Sequence, residues 1–194
     1  MENQRSKGIA YMNTEVKRKV NAVEYGNLPE GPPQQLIDGE ITMTPSPNFM
    51  HQSIILEIAT LLKNYVIDQN LGYVNISPID VFLKNDEVYQ PDIIFISKDR
   101  KEIIKDKIIG VPDLVIEVLS PSNAYYDLTH KKNIYEETGV KEFWVVDPEE
   151  KTVEIYENVK NTFLLYSKAK NSGVVNSKIL PGLSIEIVKL FVSI

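Results

Sequence analysis

Apolar residues along the chain switch between two periods, and the switches outline its elements. Ile54, Ile55, Ile58, Leu61, Leu62 and Tyr65 recur at spacings of three and four, the stripe of a helix over about residues 50–68. Pro45-Ser46-Pro47-Asn48 breaks the chain before it, where Ser46 or Asn48 can cap the first turn, and Leu71-Gly72 ends it. Upstream, Leu36-Ile37-Asp38-Gly39-Glu40-Ile41 reads as a short strand with Asp38-Gly39 as a turn or bulge. Strands dominate from 73 to 97. Val81-Phe82-Leu83 and Val88-Tyr89 flank a polar turn as a hairpin, and its second arm is expected to run on through Pro91-Asp92 into Ile93-Ile94-Phe95-Ile96. A charged connection without clear pattern follows.

Leu114-Val115-Ile116-Glu117-Val118-Leu119 is the most apolar strand, broken by Ser120-Pro121-Ser122. A helix is expected over about 125–138, with Gly139 as its stop. Phe143-Trp144-Val145-Val146 and Thr152-Val153-Glu154-Ile155-Tyr156 form a hairpin, Phe143 and Trp144 being core residues. Short strands around 163–166 and 185–187 finish the chain. The order β-α-β-β-β-α-β-β predicts an α/β (α+β) fold, a mixed central sheet flanked by helices.

Residues 1–26 lack an apolar period and cluster Lys17-Arg18-Lys19. They read as a mobile or loosely helical arm, a solvated tail or a nucleic-acid-binding one, ahead of a single domain at 27–194. Composition narrows the chemistry. With no cysteine, disulfides, thiolate zinc sites and cysteine nucleophiles are excluded, and two histidines leave little for a His-rich metal site. No apolar run is long enough to span a membrane, and the first residues lead into no signal-like apolar region, so a cytoplasmic protein is expected. A net charge of -6 means that any grip on a polyanion must come from a local basic patch or from bound cations.

Glu117 is the most informative residue. The other five members of its strand are Leu, Val or Ile, so the strand reads as covered on both faces. A carboxylate there is costly unless paired, protonated or bound to metal. Asp92, opening another apolar strand, converges on it if the two strands are neighbours; alone, it reads as a turn acid. Two or three carboxylates without cysteine suit a hard cation, Mg²⁺ or Mn²⁺ rather than Zn²⁺. Glu40 is a candidate third acid, or a solvated residue of its turn. His51, in the first turn of its helix on the apolar face, reads as a satisfied core histidine or as a proton-transfer group.

Taken in order, these segments resemble a known family. Leu36-Ile37-Asp38-Gly39-Glu40 precedes the Pro/Ser break and His51. Pro91-Asp92 follows, then Pro112-Asp113 leading into Leu114–Leu119, then Asp127, Lys131 and Tyr135 at four-residue steps, then Gly139 through Pro148. The series is similar to the bacterial family of putative restriction endonucleases within the PD-(D/E)xK nuclease superfamily, over roughly residues 25–190. The resemblance implies a restriction-endonuclease-like fold and metal-dependent phosphodiester hydrolysis. It implies Asp92 as the PD aspartate, Glu117 as the (D/E) acid and Glu40 as the acid ahead of the sheet. The superfamily's lysine, two residues after that acid, is replaced by Leu119.

Lys131 falls near the middle of the apolar side of the following helix, set by Leu128, Ile134 and Tyr135, while Lys132 falls at its margin. Its plain readings are snorkelling or an i,i+4 pair with Asp127. With the resemblance, it becomes the lysine relocated to another element. The expected function is then a Mg²⁺- or Mn²⁺-dependent endonuclease acting on nucleic acid, DNA in particular, as a homodimer or higher oligomer. The alternatives are a catalytically inactive module that binds nucleic acid or protein, and a carboxylate-pair hydrolase acting elsewhere.

Overall fold

The computed structural model describes residues 18–29, 31–44, 46–120 and 124–192. In chain order the helices are α1 (Ala22–Gly26), α2 (Phe49–Asp68), α3 (Ala124–Thr138) and α4 (Ile187–Val192). The strands are β1 (Gln34–Ile37), β2 (Glu40–Met43), β3 (Gly72–Ile76), β4 (Val81–Lys84), β5 (Glu87–Tyr89), β6 (Ile93–Ser97), β7 (Ile108–Ile109), β8 (Leu114–Val118), β9 (Glu142–Asp147), β10 (Thr152–Asn158), β11 (Phe163–Lys170), β12 (Val174–Asn176) and β13 (Ser184–Glu186). A 3₁₀ turn, Lys98–Ile103, lies between β6 and β7.

The main sheet has six strands in the order β11-β10-β9-β8-β6-β3. β8 and β9 run parallel and the other neighbours antiparallel, so the sheet is mixed. Alternation along β8 separates two cores. Leu114, Ile116 and Val118 face α2 (Ile54, Ile55, Ile58, Leu62), together with α4 and the β12–β13 hairpin. Val115 faces the other way, toward Ile134 and Tyr135 of α3 and a second sheet. That sheet has five strands, β2-β1-β5-β4-β7. The fold is α+β with helices on the sheet, as the pattern predicts.

Several local readings change. The 36–41 segment is a hairpin, β1 to β2, whose turn residues Asp38 and Gly39 take φ of 47° and 73°. β5 does not continue into β6: the two lie in different sheets, and the chain crosses between them at Gln90-Pro91-Asp92. Pro91 has no amide hydrogen to carry a ladder onward. The patternless connection holds the 3₁₀ turn and β7, and the final strand passes directly into α4. Of the expected arm, residues 1–17 lie outside the described residues. Its last five form α1, closed by an Asn21–Glu24 capping box, with Tyr25 buried. Arg18 pairs with Glu24, and Lys19 pairs with Asp38 at 3.1 Å.

Candidate active site

β6 and β8 pair antiparallel with Ile93 opposite Ile116 and Ile94 opposite Val115. Carried one step further, that register sets Asp92 opposite Glu117. The Val118 amide donates to Asp92 Oδ2 at 2.8 Å and ties the two chain segments together where the ladder ends. The same-face rule turns Glu117 to the side of Val115, toward α3. There Tyr135 Oη donates to Glu117 Oε1 at 2.7 Å, and Lys131 Nζ stands 3.4 Å from the same oxygen. Lys131 also lies 5.7 Å from the centre of the Tyr89 ring. Asp92, Glu117 and Lys131 therefore meet, from the start of β6, from β8 and from α3.

The meeting point is one wall of a cleft of about 620 Å³. The lining also takes in the β1–β2 hairpin, the segment leading into α2 and the first turn of that helix, with Gln35, Thr42, Thr44, Asn48, His51 and Gln52 among its residues. Leu119 lines the cleft in the position where the resemblance called for lysine. Glu40 does not reach it. It is exposed at the start of β2, paired with the lining residue Ile37 but not itself among the lining residues, and its charge acts on Lys19 beside the turn. Lys132 goes elsewhere, its Nζ 3.5 Å from the centre of the Tyr156 ring.

His51 was singled out by its place on α2, but its role was not legible. Asn48 caps the helix by accepting the His51 amide at 2.8 Å. The ring, 9% exposed, brings Nε2 to 2.9 Å from the Val118 carbonyl and 3.3 Å from Asp92 Oδ2. Tyr135 likewise showed in the sequence as an apolar-face residue and a member of the motif series, with no role attached to its hydroxyl. Its hydroxyl is the shorter of the two contacts to Glu117.

Electrostatics follow from this packing. Burial drives the Glu117 carboxyl upward; Lys131 opposes this, Asp92 adds to it and the Tyr135 hydrogen bond opposes it, leaving the group at about 7. Burial works against a charged His51, yet the Asp92 hydrogen bond and charge, the Val118 carbonyl and Glu117 outweigh it and raise its pKa. Burial and Glu117 push the Tyr135 phenol well up, so its hydroxyl stays a donor.

Among the described residues no group of three or more His, Cys, Asp and Glu side chains forms a ready metal shell. Two carboxylates nonetheless suit Mg²⁺, which retains waters and takes one or two protein carboxylates alongside substrate phosphate. Each acid is held through one oxygen, Oδ2 of Asp92 and Oε1 of Glu117. Oδ1 and Oε2 carry no hydrogen bond from the described residues. A desolvated carboxyl raised toward 7 is also a group whose ionised form a divalent cation would favour. The residues fit a hard cation.

A family model described as putative restriction endonuclease, Uma2, matches residues 22–188. The chain belongs to this family. Among solved structures, it is similar to a putative nuclease belonging to DUF820 from Anabaena variabilis ATCC 29413. The TM-score is 0.76 at 23% identity, over 89% of this chain and 97% of that one. At that identity the likeness is one of fold. The curated proteins contain no match to the sequence. This member of the putative restriction endonuclease family thus combines a nuclease fold with an acid pair whose accompanying lysine comes from α3. No helix among the described residues is long and apolar enough to cross a membrane.

Proposed function

We propose that this protein is a Mg²⁺- or Mn²⁺-dependent endonuclease that hydrolyses phosphodiester bonds in nucleic acid, DNA in particular. The observation that carries the reading is the convergence of Asp92, Glu117 and Lys131 on one cleft, each acid held by one oxygen and open at the other. Asp92 Oδ1 and Glu117 Oε2 would hold the cation. When bound, such a cation lowers the pKa of a water and neutralises the phosphate under attack. Lys131, beside Glu117 and 7% exposed, orients the attacking water or offsets the charge that develops on the phosphate. Tyr135 keeps Glu117 turned toward the cleft. Leu119 contributes no charge, so Lys131 takes the part that the sheet position lacks.

Nicking of supercoiled plasmid in Mn²⁺ tests the reading, with Asp92→Ala and Glu117→Ala as controls. Nicking by wild type and its loss in both variants is the expected result. Mn²⁺ binding without cleavage of DNA or RNA would move the reading to a non-catalytic binding module. Absence of both would remove the metal as well.

A further inference from the structure

His51 lies beside the acid pair and is itself among the residues lining the cleft. Its Nε2 faces two acceptors, the Val118 carbonyl at 2.9 Å and Asp92 Oδ2 at 3.3 Å. Nε2 therefore carries the proton in either charge state, because a bare nitrogen would face oxygen lone pairs. The other ring nitrogen, Nδ1, is buried and has no hydrogen-bond partner among the described residues. Leucine could fill the same wall without leaving a buried nitrogen unmatched. What leucine could not provide is the donor at Nε2.

Asp92 needs such a donor for its side chain. Its backbone is held where the Ser77 amide donates to the Asp92 carbonyl at 3.1 Å, but that bond fixes the main chain and not the carboxylate. A single bond from the Val118 amide would leave the carboxylate free to swing about that contact. His51 Nε2, hydrogen-bonded to the Val118 carbonyl at 2.9 Å, adds a 3.3 Å contact to Oδ2 from a second element, α2. α2 is itself anchored by Ile54, Ile55 and Ile58, each 1% exposed or less. That leaves Oδ1 as the oxygen without a hydrogen bond from the described residues.

We propose that His51 is a positioning residue whose Nε2–H, together with the Val118 amide, clamps Asp92 Oδ2 and so presents Oδ1 to a divalent cation shared with Glu117. This rests on the metal-dependent reading above. His51 is not itself assigned as a ligand or as a proton carrier.

The test is Mn²⁺ calorimetry on the full chain, comparing wild type with His51→Leu, His51→Asn and His51→Gln, and using thermal melts to verify folding. Glutamine can place an amide N–H near the Nε2 position, while asparagine is one methylene too short. His51→Leu and His51→Asn are expected to lose about 10–100-fold in Mn²⁺ affinity, the usual loss when a residue orienting a ligand is removed. His51→Gln should bind more tightly than either. In an Asp92→Asn background, His51→Leu should cause little further loss, since it acts through that carboxylate. Where His51→Leu does not fold, the Asn and Gln pair carries the comparison. Wild-type affinity in folded His51→Leu and His51→Asn would overturn the positioning role and leave the metal reading standing. So would equal losses in all three variants, because the reach of the donor would then be irrelevant. No Mn²⁺ binding by wild type overturns both.

Discussion

Lys131 and Lys132 are neighbours in sequence with opposite surroundings. Lys131 is buried beside Glu117, whereas Lys132 lies over Tyr156, where burial lowers its pKa despite Glu154 and Glu136. They carry the same formal charge, so a difference between them reports placement rather than bulk electrostatics. Lys131→Ala is expected to lower plasmid nicking by about 10²-fold or more while preserving Mn²⁺ affinity. Lys132→Ala should cost far less, and similar rates for the two would refute a role for Lys131 in the chemistry. A stricter measurement restores charge from the sheet, with Leu119→Lys in the Lys131→Ala background. Leu119 is partly buried against the α3 side of the core, so a negative result there is interpretable only if the double mutant melts normally.

The strands explain why two Pro-Asp pairs have different fates. Pro91-Asp92 opens β6 at the cleft, whereas Pro112-Asp113 precedes β8 at the opposite end of the sheet. Asp113, 1% exposed, is gripped by Lys141 at 2.7 Å, the Ser97 amide at 2.8 Å and Arg100 at 3.1 Å. Burial alone would raise its carboxyl, but Lys141, Ser97 and Arg100 outweigh that and hold it below the usual range. A carboxyl depressed in the folded state contributes stability above its unfolded pKa and loses it as pH falls through the folded value. Urea titrations should therefore show Asp113→Asn destabilised by about 1–3 kcal/mol at neutral pH, allowing for the partly exposed cations. Below about pH 4 the variant should lose stability less steeply than wild type. A constant difference across the acid range would count against the ionised clasp. β3 makes a separate demand. A Cβ at Gly72 would stand 2.1 Å from the Ile96 carbonyl oxygen on the paired strand. Gly72→Ala should destabilise by about 1–3 kcal/mol or more, read as a lower urea midpoint, since a backbone atom cannot move aside alone.

Across the molecule, the charge balance sets how a polyanion can bind. The net charge is -6, and among the described residues lining the cleft Lys131 is the one lysine and arginine is absent. A groove that neutralises six to ten phosphates loses affinity with a log–log salt slope of about -5 or steeper. A cleft relying on one lysine and a bound cation should show a slope of about -1. Fluorescence anisotropy of labelled DNA with Glu117→Ala and wild type, at fixed Mn²⁺ and varied KCl, measures it. A steep slope unchanged by Glu117→Ala would place the main contacts on another surface. Of the basic cluster near the N-terminus, Arg18 and Lys19 are each already paired with an acid, and Lys17 lies outside the described residues.

Hydrophobic period alone was enough for α2, for β8 and the hairpin of β9 and β10, and for the mixed sheet flanked by helices, because burial of one stripe or face repeats at the spacing of the element that buries it. A lone acid in an apolar run likewise marked Glu117. The exchange between sheets at Pro91, the short β7 and the turn from β13 into α4 left no periodic trace, since each is a few residues long and is held by partners distant in sequence. Glu40 and Asp92 were both plausible acids, and only strand pairing separates them: the β6–β8 register brings one opposite Glu117, and the β1–β2 turn leaves the other exposed. Helical spacing put Lys131 on the inward side of α3, but its distance from Glu117 depends on how α3 packs across the sheet. The same holds for His51, whose partners lie on β8 and at the start of β6. Local pattern determines which face of an element is buried; which side chains then meet is decided by register and by the docking of one element on another.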